Sequence, residues 1–181
     1  MSRVIVYIAT SLDGYIARKD DDVSWLDAYQ VAGEDYGYSD FMKTIGAAVM
    51  GPRTYDESLK HPERILVGMK TYVLSNKPMP IPPGAQVEFY NGDLRALVER
   101  IGQETSGDIY VVGGGQVVSS FLNAGLVDEI RQFIVPILLK EGIALYPALH
   151  QEIVLKLVET ARYDTGIVKL QYVPEYSPKG R

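Results

Sequence analysis

Three short stretches carry residues able to hold a phosphate. Gly113-Gly114-Gly115-Gln116 follows the apolar run 109–112 and precedes Val117, Val118, Phe121 and Leu122, which fall at helical spacing. That order predicts strand, glycine turn, helix. Glycines let backbone N–H groups approach an anion, and a helix N-terminus adds a favourable dipole. Gly51-Pro52-Arg53-Thr54 follows the apolar run 47–50 and supplies a glycine, a guanidinium and a hydroxyl. Ser75-Asn76-Lys77 follows the run 71–74 and supplies polar and cationic side chains. Each signal is weak alone. Thr54 with Glu57 is also a capping box, and Ser75 to Lys77 taken alone is a plain loop. The ordered set of three is stronger. In a parallel sheet with right-handed crossovers their strand ends share one edge, where they can hold one extended dinucleotide.

Two carboxylates complete the candidate chemistry. Asp13 lies on the loop after the first predicted strand, and Asp35 at the start of the first predicted helix. Either could donate a proton or fix a substrate's orientation. For Asp35 the plain structural role is to complement the helix dipole. Ala9, Asp13 and Trp25, the only tryptophan, are candidate substrate contacts, because that loop leaves the carboxyl end of a central strand.

Other chemistries find little support. The fingerprint G-x-G-x-x-G does not follow the first strand, where Thr10-Ser11-Leu12-Asp13-Gly14 stands instead, and no P-loop pattern is present. There are no cysteines, and the two histidines, His61 and His150, lie far apart, so no metal site is expected. Hydride transfer needs none of these groups, because a cofactor carries that chemistry.

The elements that must position these residues alternate. Arg3 to Ala9 reads as a strand buried on both faces. Tyr38, Phe41, Met42 and Ile45 mark a helix stopped at Gly46. A helix opens at Thr54, 60–70 is irregular, and a strand covers 86–90. Asp93 caps a helix through Leu94, Leu97, Val98 and Ile101 that stops near Gly102. After the glycine turn and a helix over about 116–124 the rhythm changes. A β-prone run covers 128–139 around Pro136, and strands at 154–163 and 167–173 form a hairpin through Asp164-Thr165-Gly166. The expectation is one α/β domain over 1–174, mostly parallel with antiparallel C-terminal strands, and a mobile tail at 175–181. At 181 residues with 46% hydrophobic and 23% charged residues, the chain suits one globular domain. Its net charge of −5 argues against a nucleic-acid partner. No segment approaches the ~20 apolar residues of a membrane span, and the apolar run at residues 4–8 is short for a signal peptide. A cytoplasmic protein is expected.

Taken together, 50–55, 73–78 and 111–117 resemble, in order, the three cofactor segments of the dihydrofolate-reductase-like superfamily. Ser11 to Ala17 with Ser24-Trp25-Leu26, and later 126–130 and 136–142, are similar to the reductase domain of the riboflavin-pathway deaminase–reductase. The resemblance implies that fold, NADPH as hydride donor, a pterin- or pyrimidine-like substrate, and frequently a homodimer. It implies a cis peptide between Gly113 and Gly114, with Gly51, Arg53, Thr54, Gly113, Gly114, Gly115, Gln116 and Val117 at the pyrophosphate side and Ser75, Asn76 and Lys77 near the adenosine 2′-phosphate. Two positions depart from the pattern: Pro52 stands where relatives often carry a basic residue, and Val112 where the riboflavin branch usually has a glutamate. The alternative reading is a non-catalytic nucleotide-binding or regulatory homodimeric module that retains the fold.

Overall fold

The computed structural model describes residues 2–61 and 68–176. Its centre is strand β1 (Val4–Ser11), whose Val4, Ile5 and Val6 are wholly buried. Seven further strands share its sheet: β3 (Ile45–Met50), β4 (Lys70–Leu74), β5 (Gln86–Tyr90), β6 (Asp108–Gly113), β7 (Glu129–Val135), β9 (Val154–Arg162) and β10 (Val168–Glu175). The order is β5-β4-β3-β6-β1-β7-β10-β9. Every pairing from β5 to β7 is parallel, whereas β10 runs antiparallel to both β7 and β9. The carboxyl ends of β1, β3, β4 and β6 therefore share one edge, as the crossover argument required.

Alternation along the strands sends apolar side chains to both faces. On one, Val4, Val6, Val49 and Val111 pack against Leu97 and Ile101 of α3 (Leu94–Glu104) and Val118 and Phe121 of α4 (Gly115–Asn123). On the other, Ile5 and Tyr110 meet Phe41 of α1 (Tyr38–Thr44). Beside them Phe133 and Val135 meet Trp25 of a 3-10 helix (Ser24–Tyr29). Burying each such side chain stabilises the fold by roughly 1.5–3 kcal/mol.

The sequence-based boundaries fail where glycine acts through space rather than as a stop. Gly46 does not end α1. It lies inside β3, where a Cβ would sit 1.9 Å from Thr105 Oγ1 and 3.0 Å from the Gly107 backbone nitrogen. Gly102 lies inside α3, which continues to Glu104, because one interior glycine costs only about 1 kcal/mol. Asp93 caps α3 as predicted, accepting from the Ala96 N–H at 2.9 Å. Helix α2 (Pro52–Lys60) begins before the predicted capping box: Gly51 is its N-cap and Pro52 its first residue. Strand β7 stops before Pro136, which has no N–H for a ladder. The short pairing of β2 (Tyr15–Ala17) with β8 (Ile143–Ala144) joins segments far apart in the chain and has no periodicity to reveal it. Strand β10 runs to Glu175, and the Tyr176 hydroxyl donates to the Val127 carbonyl. The rest of the predicted tail, and 62–67 of the irregular segment, lie outside the described residues.

Candidate functional site

Two helix N-termini are locked together at the carboxyl edge. The Gly51 N–H donates to the Gly113 carbonyl at 2.8 Å. Gly51 is the N-cap of α2 and Gly114 that of α4, and neither has a side chain able to cap. The amides of Arg53 and Thr54, and those of Gly115, Gln116 and Val117, therefore stand in first turns, where a helix supplies no carbonyl partner. The turns touch: a Cβ on Gly51 would lie 3.1 Å from Val117 Cγ2, and one on Gly114 would lie 3.5 Å from Thr54 Oγ1. The Gly113–Gly114 peptide is cis, as the resemblance implied, and Gly113 has φ +119°, which favours glycine. Gly115 is a close-approach position. A Cβ there would meet the Ala144 carbonyl oxygen at 2.2 Å, so the β2–β8 ribbon lies directly against this turn.

Side chains around the turns are less free than their types suggest. Arg53 Nη2 reaches both carboxylate oxygens of Asp21, at 2.8 and 2.9 Å. Its charge is thus shared with the loop after β2, a partner the sequence reading missed. Ser75 Oγ donates to the Lys77 carbonyl and accepts from the Lys77 N–H, closing a tight turn after β4. Asn76 and Ser75 frame that turn, and Lys77 is exposed with no ion-pair partner among the described residues. Gln116 is exposed at the first turn of α4.

The two candidate carboxylates have structural tasks. Asp13 accepts from Ser11 Oγ at 2.6 Å and from the backbone N–H groups of Leu139 and Lys140 at 3.1 and 2.8 Å. The Ser11 hydrogen bond, with those two amides, holds its carboxyl below the ordinary carboxylate range. The group is a clamp between the β1 end and the strand β7 exit, and an acid this strong does not donate a proton at neutral pH. Asp13 is thus held as an ionised acceptor with a structural task at this position. Asp35 accepts from the amides of Gly37 and Ser39, at 2.9 and 3.0 Å, and bonds to Ser39 lower its pKa as well. It fixes the entry to α1, so it too stays ionised. It differs from Asp13 in one respect: it lines a pocket.

That pocket, of about 230 Å³, lies over the face of β1 and β7 that carries Tyr7, Ala9, Phe133 and Val135. Tyr29 and Leu26 of the 3-10 helix, with Tyr36 and Tyr38, close its outer wall. Val6 pairs with Val111, so the register brings Tyr7 alongside Val112, the residue before the glycine turn. Ala9 lines this pocket. Trp25 does not. It is 4% exposed and packs behind the pocket against Phe133, Val135 and Leu139, with its indole N–H unpartnered among the described residues. Its size and apolarity favoured the core over a ligand.

The pocket tyrosines were not singled out from the sequence. Their signal was present as Tyr29, Tyr36 and Tyr38 crowding Asp35. Their hydroxyls mostly serve the fold: Tyr7 donates to the Tyr36 carbonyl at 2.9 Å, Tyr36 to the Tyr29 carbonyl, and Tyr29 to the Pro136 carbonyl at 3.4 Å. The Tyr38 hydroxyl has no such acceptor among the described residues, and partial burial raises its pKa, so it stays protonated.

Comparison with known proteins places this geometry. The model of the RibD C-terminal domain matches residues 84–169. The chain is 33% identical to the uncharacterized Bacillus subtilis protein YwjB over 172 residues, 94% of this chain and 97% of that protein. It is 30% identical to the uncharacterized YyaP of the same organism, covering 94% of each. A candidate riboflavin biosynthesis protein from Shewanella sp. PV-4 superposes with a TM-score of 0.86 at 28% identity, over 96% of this chain and 99% of that one. Dihydrofolate reductase from Enterococcus faecalis, solved with NADP(H), shares the fold alone, with a TM-score of 0.64 at 16% identity over 96% and 97%. Among the described residues no helix is long and apolar enough to cross a membrane. Sequence relatives, fold and glycine turn agree: the chain belongs to the RibD C-terminal domain family, on a dihydrofolate-reductase-like fold.

Proposed function

We propose that the protein is an NADPH-dependent oxidoreductase that reduces a small planar heterocycle. The observation that carries this is the Gly51–Gly113 hydrogen bond, which sets two helix N-termini without side-chain caps side by side at the edge of the sheet whose β1 and β7 carry the tyrosine pocket. Paired N-termini with glycine at both N-caps suit a pyrophosphate: first-turn amides have no helix carbonyl partner, and neither N-cap residue carries a Cβ.

The residues fit the cofactor as follows. The amides of Arg53, Thr54 and 115–117 would hold the pyrophosphate, with the Arg53 guanidinium joining once it leaves Asp21. Ser75, Asn76 and Lys77 would take the 2′-phosphate through an exposed ammonium. Bound NADPH supplies the hydride. The chain's own part is to stack and orient the acceptor ring. Tyr7, stacked on Phe41 with ring centroids 4.5 Å apart, and Phe133, tilted against Tyr7 at 4.5 Å, form an aromatic floor. Tyr38 offers its hydroxyl as a donor to the ring, and Asp35, fixed in its ionised form, accepts from ring N–H groups. Apolar walls from Ala9, Leu26 and Val135 keep bulk water from the reacting face.

Titration with NADPH and NADH, read by thermal shift and by Trp25 fluorescence, tests the reading. Cofactor at a hundred times Kd stabilises by about 2.7 kcal/mol, a shift of several degrees. Absence of any response at millimolar concentrations of either nucleotide overturns it.

A further inference from the structure

Resting on the reading above, we infer that Asn123 is a positioning residue for the cofactor: from the far end of α4 it fixes where the first-turn amides of that helix stand. Gly115, Ser119 and Asn123 are spaced four residues apart, so they lie along one face of α4. All three meet the same partner, residues 144–150. A Cβ on Gly115 would lie 2.2 Å from the Ala144 carbonyl oxygen and 3.0 Å from that of Leu145. The buried Ser119 hydroxyl accepts from the Ala148 N–H at 3.4 Å. Asn123 closes the row with two bonds: Nδ2 donates to the Ala148 carbonyl at 2.8 Å, and Oδ1 accepts from the His150 N–H at 3.0 Å. A carboxamide carries a donor and an acceptor on one planar group, so it meets this backbone as a peptide unit would.

The segment 144–150 is itself tied to the sheet, so it carries the sheet's frame to the helix. Its Leu145 N–H donates to the Gly14 carbonyl at 3.1 Å, and the Leu145 side chain is buried in the core cluster that holds Val117, Val118 and Phe121. The Tyr146 hydroxyl donates to Gln132 Oε1 at 3.4 Å, and Gln132 Nε2 donates to Thr10 Oγ1 at 2.9 Å, which links the segment to β7 and β1. Apolar packing of Val118 and Phe121 sets the depth of α4 on the sheet, but that attraction has no direction. The contact at Gly115 only keeps the helix from coming closer. The directional bonds that oppose sliding and rolling are those of Ser119 and Asn123, and the two of Asn123 are the shorter. Without them α4 rolls about its axis, and a roll turns the amides of Gly115, Gln116 and Val117 away from the first turn of α2.

Asn123→Ala in the full chain, studied well below its melting temperature, tests this. The readouts are proton–nitrogen correlation spectra and titrations with NADPH and with adenosine 2′-phosphate, a fragment that lacks the pyrophosphate. The expected result is larger amide shifts at residues 115–117 than at Arg53 and Thr54, NADPH weakened by about tenfold, the equivalent of one charge-assisted hydrogen bond, and adenosine 2′-phosphate unchanged. Arg95→Ala is the control. Its Nη2 donates to the Ala124 carbonyl at 2.9 Å, at the same helix end but from α3, so its loss lowers Tm and leaves NADPH binding unchanged. Asn123→Asp keeps the acceptor for His150, loses the donor and is expected to move the same amides; it carries the test if Asn123→Ala does not fold. A lowered Tm with wild-type NADPH affinity overturns the inference. So does an equal loss for NADPH and adenosine 2′-phosphate, or an equal NADPH loss in Arg95→Ala. A wild-type protein that binds neither nucleotide overturns the cofactor reading instead. The spectra then decide alone: shifts at 115–117 uphold the positioning of the turn by Asn123, and shifts confined to the neighbours of residue 123 overturn it.

Discussion

Replacing Gly115 by alanine tests whether the ribbon–turn contact sets the position of the α4 amides. A Cβ built there lies 2.2 Å from the Ala144 carbonyl oxygen, 2.9 Å from Pro147 Cδ and 3.0 Å from the Leu145 carbonyl oxygen. Two of the three are backbone atoms, one in β8 and one in the residue after it, whose N–H is bonded to the Gly14 carbonyl, so no flexible side chain can swing aside to relieve them. Relief requires the first turn of α4 or the ribbon to move by about an ångström, and overpacking of this kind costs about 1–3 kcal/mol. The gain in helix propensity offsets at most about 1 kcal/mol of that. For a chain of this size a net loss near 2 kcal/mol lowers Tm by roughly 4–8 °C. The same movement displaces the amides of Gly115, Gln116 and Val117, so NADPH affinity falls with stability. Gly102→Ala is the internal control. Its Cβ has only Ser2 Oγ nearby, at 3.9 Å, and lies within α3, so this variant gains about 0.5–1 kcal/mol. Differential scanning calorimetry on both variants decides. A Gly115→Ala protein that melts at or above the wild-type temperature refutes the close-approach argument.

Further outcomes follow from the site. Asp21→Ala frees the Arg53 guanidinium and raises NADPH affinity, whereas Arg53→Ala lowers it. Each change is roughly twofold to fivefold because the Arg53 side chain is largely exposed, and each shrinks at high salt, as titrations at two ionic strengths will show. Lys77→Ala weakens NADPH by about tenfold and leaves NADH unchanged, the signature of a lost charge-assisted contact to the 2′-phosphate. Tyr38→Phe keeps the ring packing but lowers kcat/KM by roughly twofold to tenfold without a change in Tm. Asp13 has a folded pKa below its ordinary value of about 4. The stability it adds is therefore complete above that pH and is lost as pH falls through the folded value. Asp13→Asn melts lower than wild type at pH 7, and the gap closes in melts run progressively below pH 4.

The sheet was legible because its central strands are short continuous apolar runs, buried on both faces, and its helices carry repeating apolar positions. Asp93 before Leu94, Leu97 and Ile101 marked α3 at its start, and the glycines after residues 50 and 112 marked the phosphate edge. What periodicity could not convey was contact between distant segments. Gly46 looks like a helix stop until Thr105 and Gly107 are seen against it. Gly115 looks like one of three interchangeable glycines until the Ala144 carbonyl is placed beside it. Asp13 and Asp35 carry the residue type that acid–base chemistry needs, yet the amides that occupy them come in part from residues 126 and 127 positions away for Asp13 and from the next turn for Asp35. Trp25 illustrates the same limit. A lone tryptophan on a loop suggests a ligand, but Phe133 and Val135 from β7 claim it for the core. The tyrosine wall emerged only when β1, β7 and the segment before α1 were brought together.

The central claim is hydride transfer from NADPH, bound at the paired helix N-termini, to a ring in the tyrosine pocket. A single-turnover reaction with NADPH deuterated at the transferring carbon, run with a dihydropterin whose ring C=N bond can take the hydride on carbon and a proton on nitrogen, and followed by mass spectrometry, tests it most directly. The account predicts a product one deuterium heavier, formed at the rate at which the reduced nicotinamide absorbance disappears, and slowed in Tyr38→Phe. Binding of both molecules with no deuterium transferred would contradict it and would favour the non-catalytic nucleotide-binding module.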